Sequence, residues 1–170
     1  QGYIRDWLML APIPLEVENE GSLKIDEEQV SDERDLKPKA GDKSKALGKE
    51  LTWKTVKARE ASFDINALLN AQLEFVAAYM VTYVVAERDM PGLTLLMGSN
   101  DQGKVYLNGR QVVKHTEPRS LEIDGSRADK VSLQKGVNVI VFKIINDNNN
   151  WEGCLRFVTS DGRPVTDVKI

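Results

Sequence analysis

The dipeptide Asn108-Gly109 constrains this chain more than any other feature. Both residue types accept the left-handed backbone angles of a two-residue hairpin turn. Lys104–Leu107 is therefore predicted to fold back on Arg110–Val113. The turn closes the stretch Gly98-Ser-Asn-Asp-Gln-Gly-Lys-Val-Tyr-Leu-Asn-Gly-Arg110, which reads as a loop and a short strand. A second unit of the same kind runs from Gly136 to Asn146, followed by the polar Asp147–Asn150 and then Trp151. Units like these build sheets with polar loops at the rim.

The rest of the chain fits that frame. Tyr3–Leu10 is predicted to be a strand whose exit is stiffened by Pro12 and Pro14. From Phe75 to Val85, one parity holds Phe75, Ala77, Tyr79, Val81, Tyr83 and Val85, and the other Val76, Ala78, Met80, Thr82 and Val84. Aromatic and β-branched residues favour a central strand, especially after Tyr79, with a helix as the alternative for the alanine-rich beginning. Leu93–Met97, Lys130–Leu133, Val137–Ile145, Leu155–Thr159 and an edge segment Val165–Ile170 bring the total to about nine short strands. Asp64 is placed to cap a short helix at Ile65–Leu69. The predicted fold class is all-β: a jelly-roll-like two-sheet β-sandwich with one or two short helices. Val105, Leu107, Val139, Val141 and Phe157 are expected between the sheets.

With 170 residues the chain is expected to form a single domain, 1–170, stable without disulfide or metal. Residues 16–48 read as a polar, loop-rich insertion with few aliphatics to anchor it. One short helix is expected near Glu27–Glu33, and a turn at Pro38 and Gly41-Asp42. Charge is nearly balanced, 23 Lys and Arg against 26 Asp and Glu, so no overall field draws the chain to nucleic acid. Locally it is uneven: Glu16–Glu33 is rich in acids and Lys37–Lys57 in bases. Cys154, the single cysteine, alternates with Leu155 and Phe157 and is expected as a packed thiol; no zinc pattern exists. No apolar run reaches the length of a membrane span, and no signal-peptide core is present. Gln1 in place of Met reads as an N-terminus cut from a longer chain.

Candidate binding residues cluster after the second unit. Asn146, Asn148, Asn149 and Asn150 offer paired donors and acceptors, Asp147 adds an acceptor, and Trp151 an apolar face suited to a sugar ring. The same residues also read as a polar turn with Trp151 anchoring the core. Arg156 follows on the next strand. Tyr79, Tyr83 and Tyr106 are either a concave aromatic platform or core packing, and Trp7 and Trp53 are expected in the core. Asp101 and Asp147 carry oxygens suited to a structural calcium, without the terminal bidentate glutamate of a calcium loop. His115 has no second histidine or cysteine nearby. The acidic pairs Asp124/Asp129 and Glu27/Glu28 would need to face each other across about 5–9 Å to cleave a glycoside. With no GxSxG, HExxH, Walker A or Rossmann fingerprint, a noncatalytic domain without cofactor is expected.

Several of these segments together resemble the galactose-binding-like β-sandwich family. Tyr3-Ile-Arg-Asp-Trp-Leu-Met-Leu-Ala-Pro12 is similar to its opening strand, and Gly98–Gly109 to its G-S-D-D-G-x-K-V-(W/Y)-L-N-G stretch. Leu51-Thr-Trp-Lys54 and Ala78-Tyr79 continue the likeness. Leu133–Lys143 resembles L-x-K-G-x-N followed by a hydrophobic run and lysine. Trp151 with Leu155-Arg-Phe157, and Asp161-Gly162-Arg163-Pro164, are similar to its closing region. One departure is Asn100-Asp101-Gln102-Gly103, where the family has paired acids followed directly by glycine. The resemblance implies a jelly-roll sandwich serving as an accessory module of polysaccharide-active or secreted multidomain proteins. The implied partners are a polysaccharide or oligosaccharide and the neighbouring domains of a secreted or cell-surface parent. Trp151, Asn148, Asn149, Asn150, Arg156, Tyr83 and Tyr106 would then contact sugar. The rival expectation is a structural or protein-interaction module, favoured if Trp151 and the tyrosines are fully buried and no open groove exists. A small hydrolase is the third.

Overall fold

The computed structural model describes every residue, Gln1–Ile170. In chain order the strands are β1 (Asp6–Pro14), β2 (Lys43–Ala46), β3 (Lys49–Thr52), β4 (Lys54–Lys57), β5 (Phe63–Asp64) and β6 (Val76–Ala86), then β7 (Met90–Asn100), β8 (Gly103–Leu107), β9 (Arg110–His115), β10 (Ser126–Leu133), β11 (Gly136–Asn146) and β12 (Glu152–Val158). Two short helices, α1 (Gly21–Lys24) and α2 (Ile65–Leu69), and one 3-10 turn, Glu33–Asp35, complete the elements. A six-stranded antiparallel sheet, β4-β1-β6-β11-β8-β9, faces a four-stranded one, β10-β7-β12-β5. β2 and β3 form a separate hairpin. The all-β two-sheet sandwich expected from the sequence is what the chain forms.

Local chemistry explains the joints. Asn108 and Gly109 take φ of 51° and 83°, and the hairpin they close pairs Leu107 with Arg110. Asp64 caps α2 by accepting the Ala67 amide at 3.1 Å. The long strands β6 and β11 pair along their whole length, from Val76↔Asn146 to Ala86↔Gly136. Strand alternation then sends Val76, Ala78, Met80 and Val84 inward with Ile140, Phe142 and Ile144, onto Leu93, Leu95, Met97, Leu155 and Phe157 of the other sheet. Trp7, Phe63 and Phe142 meet there edge to face or tilted, ring centroids 5.6 to 6.1 Å apart.

Parity also corrects one expectation. Val105, Leu107 and Phe157 do share the inter-sheet core, but Val139 and Val141 lie on the opposite face of β11. They belong to a second core on the outside of the six-stranded sheet. Residues 15–53 pass across that face as a strap. The strap inserts Leu15, Ile25, Val30, Ala46 and Trp53 against Leu10, Ile13, Ala77, Tyr79, Val81, Tyr106, Val141 and Ile145. Burial of each large aliphatic contributes about 1.5–3 kcal/mol, so a handful of them suffices to seat a segment that is otherwise polar. The helix expected near Glu27–Glu33 is replaced by α1 upstream and the 3-10 turn downstream. The final segment makes two isolated bridges, Val158↔Pro164 and Val85↔Lys169, in place of a full edge strand.

Candidate functional site

The predicted contact residues do not converge. Trp151 is 0% exposed, in the inter-sheet core, with its indole N–H donating to the Ile144 carbonyl at 3.1 Å. Its ring packs in the interior, which leaves no face for a sugar. Tyr106 is buried, and Tyr83 is half-buried with its hydroxyl donating to the Pro38 carbonyl at 2.6 Å. Both lie under or beside the strap. Arg156 is on the outer face of the four-stranded sheet. There it grips Asp124 through Nη2 at 2.6 Å and Nε at 3.2 Å, and stacks on Tyr3. None of its partners belongs to the 146–150 turn. Of the asparagines, Asn146 is buried and bonded to the Leu73 and Asn149 carbonyls. Asn148, Asn149 and Asn150 are exposed at the rim, Asn148 holding Asn19 at 2.8 Å.

Asp101 and Asp147, the expected calcium ligands, are engaged by N–H donors of the rim and strap. Asp101 Oδ2 accepts the Asp147 and Asn148 amides at 2.8 and 3.3 Å, and Oδ1 accepts the Arg119 amide at 3.2 Å. Asp147 accepts the Gly21 amide and the Gln102 side-chain amide, both at 3.0 Å. Five N–H donors therefore converge on the two carboxylates, which tie the rim loops and the start of the strap together. Burial raises the Asp101 pKa against the pull of its amide donors. No group of three or more His, Cys, Asp and Glu side chains is brought together.

What the fold does bring together is a charged seat beneath the strap. Register places Leu10, Tyr79, Lys143, Lys104 and Lys114 in one row across β1, β6, β11, β8 and β9. Three lysines side by side repel one another, and two are sealed from water. The strap compensates. Its Glu33, 1% exposed, accepts Tyr79 Oη at 2.5 Å and Lys143 Nζ at 3.0 Å on Oε1. On Oε2 it accepts Tyr106 Oη at 2.5 Å and faces Lys104 Nζ at 3.6 Å. Asp26 pairs with Lys114 at 2.8 Å and approaches Lys104. Lys143 also donates to the strap carbonyl of Glu27 at 2.6 Å, with those of Lys24 and Ile25 at 3.3 and 3.4 Å.

Burial alone would raise the Glu33 pKa; Lys143 and the two phenols outweigh it and hold the carboxyl below its usual range. Burial pushes Lys143 down to about 8 against the attraction of Glu33, so both are charged at neutral pH. The phenols of Tyr79 and Tyr106 are raised, first by burial and then by Glu33. The acidic run Glu16–Glu33 was the visible sequence signal for this seat. Its lysine partners were hidden inside strands that read as apolar.

No family model and no curated protein matches the chain. Among solved structures it is similar to the PA14 domain of the MpAFP antifreeze protein, seen in a crystal structure. Identity is 13% and the TM-score 0.44, over 94% of this chain and 90% of that one. At that identity and degree of superposition the likeness sets neither fold nor function.

Proposed function

We propose that the chain is a noncatalytic accessory module of a larger protein, working by protein interaction and by positioning its neighbours. One observation carries this reading. The three tryptophans, Tyr79 and Tyr106 are buried in the two cores, while the part of the outer face beyond the strap stays apolar and open. Tyr83, Val85 and Val139 are half-buried there, and Val137 is 54% exposed. A shallow groove of about 320 Å³ runs beside them, lined by Leu8, Thr55, Tyr83 and Val85 among others. An aliphatic strip on a sheet face is the kind of surface a neighbouring domain covers. The pair Asp124/Asp129 supports the noncatalytic part: Asp124 is engaged by Arg156 and Tyr3, and Asp129 by Arg127 and Thr94.

Hydrogen exchange on the isolated domain and on the longer parent protein tests the reading. Amides of Val137–Val139 and the end of β6 gain protection in the parent, and Val137→Glu removes that gain without lowering the thermal midpoint. Equal protection in both contexts excludes this surface.

Carbohydrate recognition is the second reading, now without ring stacking. It is supported by the exposed side chains of Asn149 and Asn150 at the rim and by the galactose-binding-like resemblance, which is also the sole support for a secreted or surface parent. Calorimetric titration against neutral, acidic, plant and microbial glycans decides it. Saturable heat lost in Asn149→Ala with Asn150→Ala favours the reading, and no saturable heat removes it.

A further inference from the structure

The sheet side of the strap interface has the layout of a receptor. Tyr79 is on β6, Lys143 on β11, and Lys104 and Tyr106 on β8. None of the four belongs to the strap, yet all four polar ends meet one carboxyl group. They divide evenly, one phenol and one ammonium to each oxygen: Tyr79 and Lys143 at 2.5 and 3.0 Å, Tyr106 and Lys104 at 2.5 and 3.6 Å. Lys143 and Glu33 are almost fully enclosed and Lys104 is 5% exposed. Such a donor set fits a two-oxygen anion. A neutral amide would turn N–H hydrogens toward one phenol–ammonium pair, and a vacant seat would leave Lys143 with carbonyl partners alone and Lys104 with only the longer contact to Asp26. Glu33 reaches the seat from 46 residues before Tyr79 in the chain. It meets the sheet only through the strap.

We infer that the sheet face under the strap is a carboxylate-binding site with Glu33 as its tethered occupant, so that the strap docks on the sandwich as a covalently linked ligand. The tether gives Glu33 an effective concentration that free carboxylates do not match, about millimolar or higher for a short linker. The native chain therefore keeps the site filled by itself. Removing the side chain beyond Cβ opens a space for formate, whose carbon and two oxygens replace Cδ and its oxygens after a small shift that restores van der Waals distance to the unbonded Cβ. Acetate and propionate carry one and two further carbons, which meet the remaining Cβ.

The test is chemical rescue of Glu33→Ala in the full 170-residue chain. Thermal unfolding at neutral pH is followed in acetate, formate, propionate and chloride at equal ionic strength. Formate raises the midpoint saturably by several degrees, acetate less, propionate least, and chloride not at all; the wild-type chain shows no carboxylate-specific rise. In Glu33→Ala combined with Tyr79→Phe and Tyr106→Phe the response disappears. Should Glu33→Ala be unfolded in chloride, recovery of its near-ultraviolet circular dichroism in formate supports the site, and failure to recover counts against it. Equal effects of formate and chloride, or a rescue that survives loss of both phenols, overturns the inference.

Discussion

Glu33 shows how one residue can hold a large local charge imbalance. Its carboxylate faces two ammoniums and two phenols away from water, where removing one partner of such a set typically costs about 3–5 kcal/mol. Tyr106→Phe deletes one hydrogen bond and leaves the charges, so a smaller loss of about 1.5–3 kcal/mol is expected in the urea midpoint. The pH dependence follows from the depressed carboxyl. The stabilisation it supplies is complete above its unfolded pKa of about 4.3. It is lost as pH falls through the lower, folded value, because the unfolded state takes up the proton first. Urea midpoints between pH 3 and 7 are expected to fall steeply on the acid side in wild type. In Glu33→Gln the same limb is shallower. Parallel acid limbs in the two proteins would show that other carboxylates set the slope. Trp151→Ala, by contrast, is a pure core truncation. It is expected to cost about 3–5 kcal/mol, with no pH signature.

At the scale of the element, the strap is the feature that separates this sandwich from a plain pair of sheets. Trp53 is its hydrophobic anchor, fully enclosed and donating through its indole N–H to Ser44 Oγ at 2.9 Å. Trp53→Ala is expected to release residues 15–53 as a unit. Their amide exchange rises together, and the strap becomes the first site of proteolysis, while β6 and β11 keep their protection. A uniform rise across all strands would make the strap part of the single cooperative core instead. The hairpin at Asn108-Gly109, the helix capped by Asp64 and the full-length strand at Val76–Ala86 were legible because each rests on local chemistry: turn angles, a cap, a period of two. The strap was not. Ile25 and Val30 are too sparse to give a period, and what holds them is a sheet face assembled from strands far apart in the chain, from Leu10 to Ile145. The contact residues misled for the same reason. Trp151 and Tyr106 have the composition of a sugar site, but whether a ring faces solvent depends on which parity of its strand is covered, and by what. Val139 and Val141 failed that way too. They follow the alternation of β11 faithfully, onto a face that was not known to have a cover.

For the whole molecule, both outer faces are partly covered, by segments of different kinds. The strap closes one side of the six-stranded sheet. On the four-stranded sheet, the segment after β9 lies over Gly98, where an added Cβ would come 2.4 Å from the Glu122 carbonyl, and it sends Asp124 to the Arg156–Tyr3 clamp. Cys154 is buried on that face, its thiol pKa raised by burial. The inter-sheet core stands between the two covers, and the two ionic fastenings share no residue. Interactions without shared partners, on opposite sides of a packed core, contribute almost independently. Arg156→Lys keeps the charge but loses the two-pronged grip on Asp124, a change expected to cost about 1–2 kcal/mol. Combined with Glu33→Gln, the two losses are expected to add within about 0.5 kcal/mol. The denaturation slope should stay that of one cooperative unit, because neither change reaches the core. A double-variant cycle in urea measures this directly. An interaction energy above about 1 kcal/mol would mean that the covers communicate through the sheets; the sandwich would then transmit strain from one face to the other, and a partner on the open strip beside the strap would be felt at Arg156.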